Sequence, residues 1–249
     1  MTEMSKPLAD RIALVTGASR GIGAALALEL AKAGAHIVAV ARTTGGLEEL
    51  DDQIRAAGGT TTLVPLDMND FEGIARLAQA LNERYQRLDV LVGNAGILGT
   101  LSPLGHIEPK DWDNLFAINV KANWQLVRTM DPLLKRPEAA RAVFVTSGLS
   151  WFNRPYTGGY AAAKSALNTL TQIYAAESAS SNLRVNLFNP GPTRTQMYAT
   201  GWPGADPASL SAPEDVAKAI VPLCLPTCTE NGKCWDYRAG KFLEFRQPA

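Results

Sequence analysis

The stretch "ALVTGASRGIGAAL", residues 13–26, joins an apolar run to a helical pattern through Gly17, Gly21 and Gly23. Glycine lets the backbone turn sharply and approach a bound group, and the free N–H groups opening the next helix face an anion placed there. The spacing is G-x-x-x-G-x-G, not the G-x-G-x-x-G of the common dinucleotide fingerprint. The turn reads as a seat for a nucleotide pyrophosphate or, failing that, as a turn needed only for packing. Its position between a strand and a helix favours the nucleotide.

Outward from this turn the same alternation repeats. "RIALVT" (11–16), "HIVAVA" (36–41), "TTLVPL" (61–66), "LDVLVG" (88–93), "AVFVTS" (142–147) and "LRVNLF" (183–188) read as strands. Most are almost continuously apolar, as strands covered on both faces are. Amphipathic stretches such as "GIARLAQALNERYQ" and "EDVAKAIVPLCL" lie between them. Strand and helix in alternation predict an α/β fold with a parallel sheet between two helical layers. No Pro/Gly/Ser linker divides the chain, so residues 1–249 read as one domain. The segment from about 190 to 213, rich in Gly, Pro, Thr and Ser, reads as a lid over a site or as a long surface connection.

Composition excludes several classes. The 24 basic and 24 acidic residues cancel, which disfavours a broad basic surface for nucleic acid. The most apolar stretch, "AALALELAKAGAHIVAVA", is broken by Glu29, Lys32 and His36, so no membrane span is expected. "MTEMSKPLADR" lacks the apolar core of a secretory signal. Three cysteines, Cys224, Cys228 and Cys234, make no disulfide framework and point to a reducing cytoplasm. A structural zinc site wants four ligands and no His lies near these three, so no metal is expected.

Six motifs now stand in order: "TGASRGIG", "GNAG" (93–96), Asn119 within "LFAINVKANW", "VTSG" (145–148), "YAAAK" (160–164) and "NPGPTRT" (189–195). Together they resemble the short-chain dehydrogenase/reductase family, in its classical branch, over nearly the whole chain. The resemblance implies a single Rossmann-type domain, a three-layer α/β/α sandwich around a mostly or wholly parallel seven-stranded sheet, binding a nicotinamide dinucleotide. It implies cofactor contacts from Gly17, Ser19, Arg20, Gly21, Ile22, Gly23, Asp67, Met68, Asn94, Ala95, Gly96, Pro190, Gly191 and Thr193, together with Tyr160 and Lys164. Asp67 ends a strand in "PLDMND" and is otherwise a turn or cap residue. Gly93 stands where the family more often has a second Asn.

The cofactor type turns on the end of the second strand. NAD binders commonly carry an acid there, whereas an arginine suits the 2′-phosphate of NADP. In "IVAVARTT" that position is Ala41, followed by Arg42, and Arg20 in the glycine turn is a second cation. Two charge-assisted contacts of about 1.5–3 kcal/mol each discriminate strongly. NADP(H) is therefore expected, with NAD(H) the weaker choice and solvated surface arginines the alternative.

Tyr160 and Lys164 stand four residues apart, which stacks them on one helix face. An ammonium about 4 Å from a phenolate, at an effective dielectric of about 20, is worth roughly 4 kcal/mol and about three pKa units. A phenol so tuned gives a proton to a carbonyl oxygen or takes one back from an alcohol. Ser147, ending a strand, is placed to hold the substrate oxygen. The resemblance makes Asn119, Ser147, Tyr160 and Lys164 the catalytic set, with Asn119 ordering a water that links Lys164 to solvent.

Leu98, Leu149, Trp151, Phe152, Arg154, Tyr156, Met197, Tyr198 and Trp202 flank this set and suit an apolar or aromatic carbonyl compound. Loop anchoring is the other reading of the aromatics, and Arg154 could meet an anionic substrate. His36 and His106 read as incidental. Leu167, Leu170 and Tyr174 fit core packing or a partner helix, and the resemblance implies a homodimer or homotetramer. "GKFLEF" can form a last strand, but the glycines that usually close the family's C-terminus are missing. The expected activity is interconversion of a carbonyl and an alcohol. A cofactor-binding sensor, and a dehydratase or epimerase on the same fold, are the alternatives.

Overall fold

The computed structural model describes residues 6–152 and 154–245. The chain runs β1 (Ile12–Thr16), α1 (Gly21–Lys32), β2 (His36–Ala41), α2 (Thr44–Ala56), β3 (Thr60–Pro65), α3 (Phe71–Tyr85) and β4 (Val90–Gly93). There follow α4 (Pro109–Phe116), a π turn (Ala117–Lys121), α5 (Ala122–Leu134), β5 (Ala140–Val145), α6 (Gly158–Glu177) and β6 (Leu183–Asn189). Last come α7 (Gln196–Gly201), α8 (Pro213–Cys224), β7 (Cys234–Asp236) and β8 (Lys241–Leu243).

All eight strands join one sheet in the order β3-β2-β1-β4-β5-β6-β7-β8. Successive side chains of a strand point to opposite faces, and the two cores follow from that alternation. Ala13, Val15, Ile37 and Ala39 pack under α1, α2 and α8, through Leu26, Leu30, Leu50, Ile54, Val216 and Ile220. Leu14, Val38 and Val40 face the other way, toward Ile74 and Leu77 of α3, Leu126 and Met130 of α5, and Leu167 and Tyr174 of α6. β1, β2 and β4 are covered on both sides, which explains their nearly unbroken apolar runs, whereas the edge strand β3 is only half-buried.

The expected seven-stranded sheet gains an eighth strand. β7 pairs parallel to β6, but β8 pairs antiparallel to β7. The connection decides this: only residues 237–240 separate the two strands, too few for a parallel crossover. The Asp236 carboxylate accepts from Ala239 N at 2.8 Å, and Gly240 adopts a φ of 61°, which closes the hairpin. "GKFLEF" thus supplies the last strand. At the opposite edge, β3 tolerates Pro65 because, among the described residues, its outer side has no strand to bond.

Strand order reverses between β1 and β4, so the α connections leave β1 toward one side and β4 toward the other. A crevice opens beyond the carboxyl ends of these strands, where ligands of open α/β sheets bind. The segment 190–213 is more ordered than a loop. It contains α7 and a short 3-10 turn at Pro207–Ser209. Its ends are tied by Arg194 N to Ser211 O at 2.9 Å and Ser211 N to Pro192 O at 3.3 Å.

Candidate active site

The glycine turn follows β1 directly, with Gly17 at φ 67° and Gly21 at φ 58°, the left-handed region that side chains disfavour. Gly23 answers a different need. A Cβ there would lie 2.2 Å from the Gly17 carbonyl oxygen, so the helix could not start so close to the turn. The result is a cradle of backbone at the start of α1, with Arg20 exposed at its N-cap in extended conformation. That shape fits a pyrophosphate. Thr195, on the far wall, comes within 3.3 Å of where a Gly21 Cβ would be.

Asn94 and Ala95 form the opposite lip at the end of β4. Asn94 Nδ2 donates to Thr16 O at 2.9 Å, and both Asn94 N and Ala95 N donate to Thr16 Oγ1 at 3.0 Å. Thr16 Oγ1 in turn donates to Val92 O at 3.2 Å. Gly96 continues this lip toward Lys164, whose Nζ lies 3.6 Å from the position of a Gly96 Cβ. Neither Thr16 nor Thr195 stood out in the sequence as a site residue. A hydroxyl residue on an otherwise apolar buried strand was the available signal for Thr16.

Just past the ends of β2 and β3, Asp67 and Arg42 face each other loosely. Arg42 Nη1 lies 3.8 Å from Asp67 Oδ2, with side chains 61 % and 44 % exposed. Asp67 Oδ1 accepts from Asn69 N at 2.9 Å, and Met68 is buried beside it. An exposed pair of this kind is worth about 0–1 kcal/mol, so the guanidinium is readily drawn to a stronger anion. Pro190 and Gly191 follow β6 on the other side of the crevice, where Thr193 Oγ1 donates to Gly191 O at 3.2 Å.

Tyr160 sits in the first turn of α6 and Lys164 one turn later, and both are buried. Lys164 Nζ lies 5.8 Å from the Tyr160 ring centroid and donates to Val145 O at 2.8 Å. Ser147, just past β5, accepts from Leu149 N at 3.3 Å and lies within hydrogen-bonding reach of the Tyr160 hydroxyl. Asn119 falls in the π turn rather than in a regular helix. Its side chain is held on both sides by Ile97, accepting from N at 3.0 Å and donating to O at 2.8 Å. Its backbone carbonyl accepts from Asn123 Nδ2 at 2.9 Å.

Electrostatics here correct one expectation. Within the protein alone, Lys164 does not bring the Tyr160 pKa down toward neutrality. Burial pushes the phenol up to about 12, with the Ser147 hydrogen bond pulling the other way. Burial also pushes Lys164 down to about 8. Desolvation dominates because both groups are buried and the ammonium is directed at the Val145 carbonyl.

An apolar cluster encloses Tyr160. Leu98, Leu115 and Ala163 form it, with Leu149, Met197 and Trp202 packed against them. Arg154 lies over the Trp202 ring at 5.1 Å, and Tyr198 packs on Trp202 at 4.9 Å. Phe152 and Tyr156 are exposed instead, and Trp151 packs on Phe245 near the C-terminus at 5.8 Å. His36 lies at the start of β2, away from the crevice, bonded to Thr60, Thr62 and Tyr85.

Comparison with known proteins agrees with this architecture. The sequence profile of the short chain dehydrogenase family matches residues 11–204, more than half of the chain. The chain belongs to the short-chain dehydrogenase family. It is similar to the uncharacterized oxidoreductase YciK of Escherichia coli, 37 % identical over 221 residues that cover 88 % of this chain and 86 % of that one. Among solved structures, a short chain dehydrogenase from Shigella flexneri complexed with NADP matches with a TM-score of 0.89 and 34 % identity, covering 94 % and 99 % of the two chains. One from Escherichia coli complexed with NADPH matches with a TM-score of 0.85 and 34 % identity, covering 93 % and 98 %. Membership makes the chain an oxidoreductase of that family. Among the described residues, no helix is long and apolar enough to cross a membrane, and no group of three or more His, Cys, Asp and Glu could hold a metal ion.

The lowered Lys164 value has a measurable consequence. The folded group titrates near 8 and the unfolded one near 10.5, so between these pH values only the unfolded chain holds the proton. Stability from this group therefore rises with pH across that window. Denaturant titrations of cofactor-free protein should show wild type gaining about 2 kcal/mol on Lys164→Met between pH 8 and pH 10. A flat difference would mean that Lys164 is solvated.

Proposed function

We propose that this chain is an NADP(H)-dependent oxidoreductase that interconverts a ketone or aldehyde and its alcohol. The observation that carries this is the burial of Tyr160 and Lys164 together, with Ser147 against the phenol, under an apolar wall at the end of the cofactor crevice. The nicotinamide, when bound, accepts or delivers the hydride. Gly17, Gly21 and the start of α1 would hold the pyrophosphate, and Arg20 and Arg42 the 2′-phosphate. The NADP and NADPH of the two structural relatives support that choice.

Tyr160 is protonated at neutral pH and so enters the reaction as a proton donor, which suits reduction. Ser147 holds the substrate oxygen beside it and stabilises the charge developing there. Lys164 stabilises the phenolate left after proton transfer, and Asn119, fixed by Ile97, positions the relay water that links Lys164 to solvent, the route by which a proton returns to the Tyr160 phenolate. The enclosure by Leu98, Leu149, Met197 and Trp202 supports an apolar or aryl carbonyl substrate. With aryl ketones as probes, Tyr160→Phe should lower turnover by about 10²–10⁴. Unchanged turnover in both Tyr160→Phe and Lys164→Met would overturn the mechanism.

Calorimetry tests the cofactor. NADPH should bind at least about tenfold tighter than NADH, a difference of about 1.4 kcal/mol, and Arg42→Ala should erase the difference. Equal affinities in wild type would mean that the arginines face solvent. We also propose a cytoplasmic homo-oligomer. Free Cys224, Cys228 and Cys234 support the compartment. For assembly, Trp124 and Ile173, 44 % and 49 % exposed, flank a groove of about 270 Å³ between α5 and α6 that suits a second copy. Leu167 and Tyr174 belong to the chain's own core and also line this groove, together with Leu170. Sedimentation of wild type as a dimer or larger, and of Trp124→Glu/Ile173→Glu as a monomer, is the expected outcome.

A further inference from the structure

Two consecutive glycines lie in the first turn of α2, and their surroundings differ. A Cβ on Gly45 would meet nothing within 4 Å. A Cβ on Gly46 would lie 2.8 Å from the Ser19 carbonyl oxygen and 2.9 Å from Ser19 Cβ. Cβ atoms do not approach backbone so closely, so Gly46 marks a direct contact between the start of α2 and the glycine turn.

The two segments in contact carry the two arginines assigned to the 2′-phosphate. Ser19 immediately precedes Arg20, and Gly46 follows Arg42 by four residues. A second tie lies next to the first: Ala18 N donates to Val40 O at 3.1 Å, two residues before Arg42. The turn and the β2–α2 junction are thus fastened once by a hydrogen bond and once by the absence of a side chain. Their strengths differ. The turn is fixed by the Ala18 bond and by Asn94 packed against Gly17. Residues 42–45 are exposed, the Thr43 side chain makes no capping bond, and the first buried anchor of α2 is Leu47. A methyl group at position 46 would therefore displace the start of α2, and Arg42 with it, and leave the turn in place.

We infer that Gly46 is a specificity-determining position: its missing side chain sets the separation of Arg20 and Arg42 at which both reach one phosphate, that of NADP(H). The inference rests on the cofactor reading above. Charge-assisted contacts to a phosphate weaken with separation and misalignment, whereas the pyrophosphate seat in the turn is untouched. Gly46 acts through Arg42 and is a positioning residue.

The test is calorimetry of NADPH and NADH on cofactor-free wild type, Gly46→Ala, Gly45→Ala and Arg42→Ala, each as the full chain. Gly46→Ala should weaken NADPH by about tenfold and leave NADH within about twofold, the retained NADH binding reporting an intact fold. Gly45→Ala should leave both within about twofold, although it makes the same chemical change one residue away. The inference is overturned if Gly46→Ala leaves NADPH unchanged, weakens both cofactors alike, or is matched by Gly45→Ala. Failure of the cofactor reading looks different: wild type then shows no preference for NADPH, and the inference falls with it. A wild-type preference lost in Arg42→Ala but kept in Gly46→Ala refutes the inference alone.

Discussion

The hydroxyl of Thr16 is the joint on which the crevice depends. It ends β1, donates across to β4 and accepts two backbone N–H groups from the chain leaving β4. One buried side chain thus fastens both lips of the opening made where strand order reverses. Val92 O is buried and the Asn94 and Ala95 N–H groups are partly buried, and an unmet buried group costs about 1–3 kcal/mol. Loss of the hydroxyl would orphan several together. The glycine cradle, the Asn94 lip and the approach to Lys164 are all built out from this point.

Beyond that joint, the chemistry is a matter of keeping charge in a dry place. The ammonium of Lys164 is held by the Val145 carbonyl instead of a carboxylate, so it stays sensitive to whatever charge arrives next to it. A carboxylate partner would have fixed it as a permanent cation. Tyr160 shares this condition: burial by the protein's own atoms keeps its proton on. A positively charged ring bound nearby would favour the phenolate, so the pair is tuned by what occupies the crevice as much as by the protein.

Much of this was legible in the sequence, and the physical reasons are specific. Most strands through β6 announce themselves because both faces are covered, which leaves nearly unbroken apolar runs; the edge strand β3 shows only a short one, Leu63–Val64. β7 does not, since three residues are too few to show any period. The glycine turn, Tyr160 and Lys164 are local patterns, readable along the chain. Thr16 and Thr195 act on residues far away in sequence, through register and packing that no local pattern encodes. The π turn at Asn119 was hidden for a related reason: composition does not show that a helix takes one extra residue per turn. The tyrosine's direction of shift was misjudged because an i, i+4 spacing gives proximity but not desolvation.

The two borders of the sheet have a consequence of their own. A border strand exposes a row of unpaired backbone groups, ready to zip onto a neighbour's. Here one border ends in Pro65, which lacks a donor, and the other is a three-residue strand led by Lys241. Neither offers a long, flat template. Crowded copies of this chain are therefore steered away from stacking strand on strand into fibres, and what contact they make falls to their helical flanks.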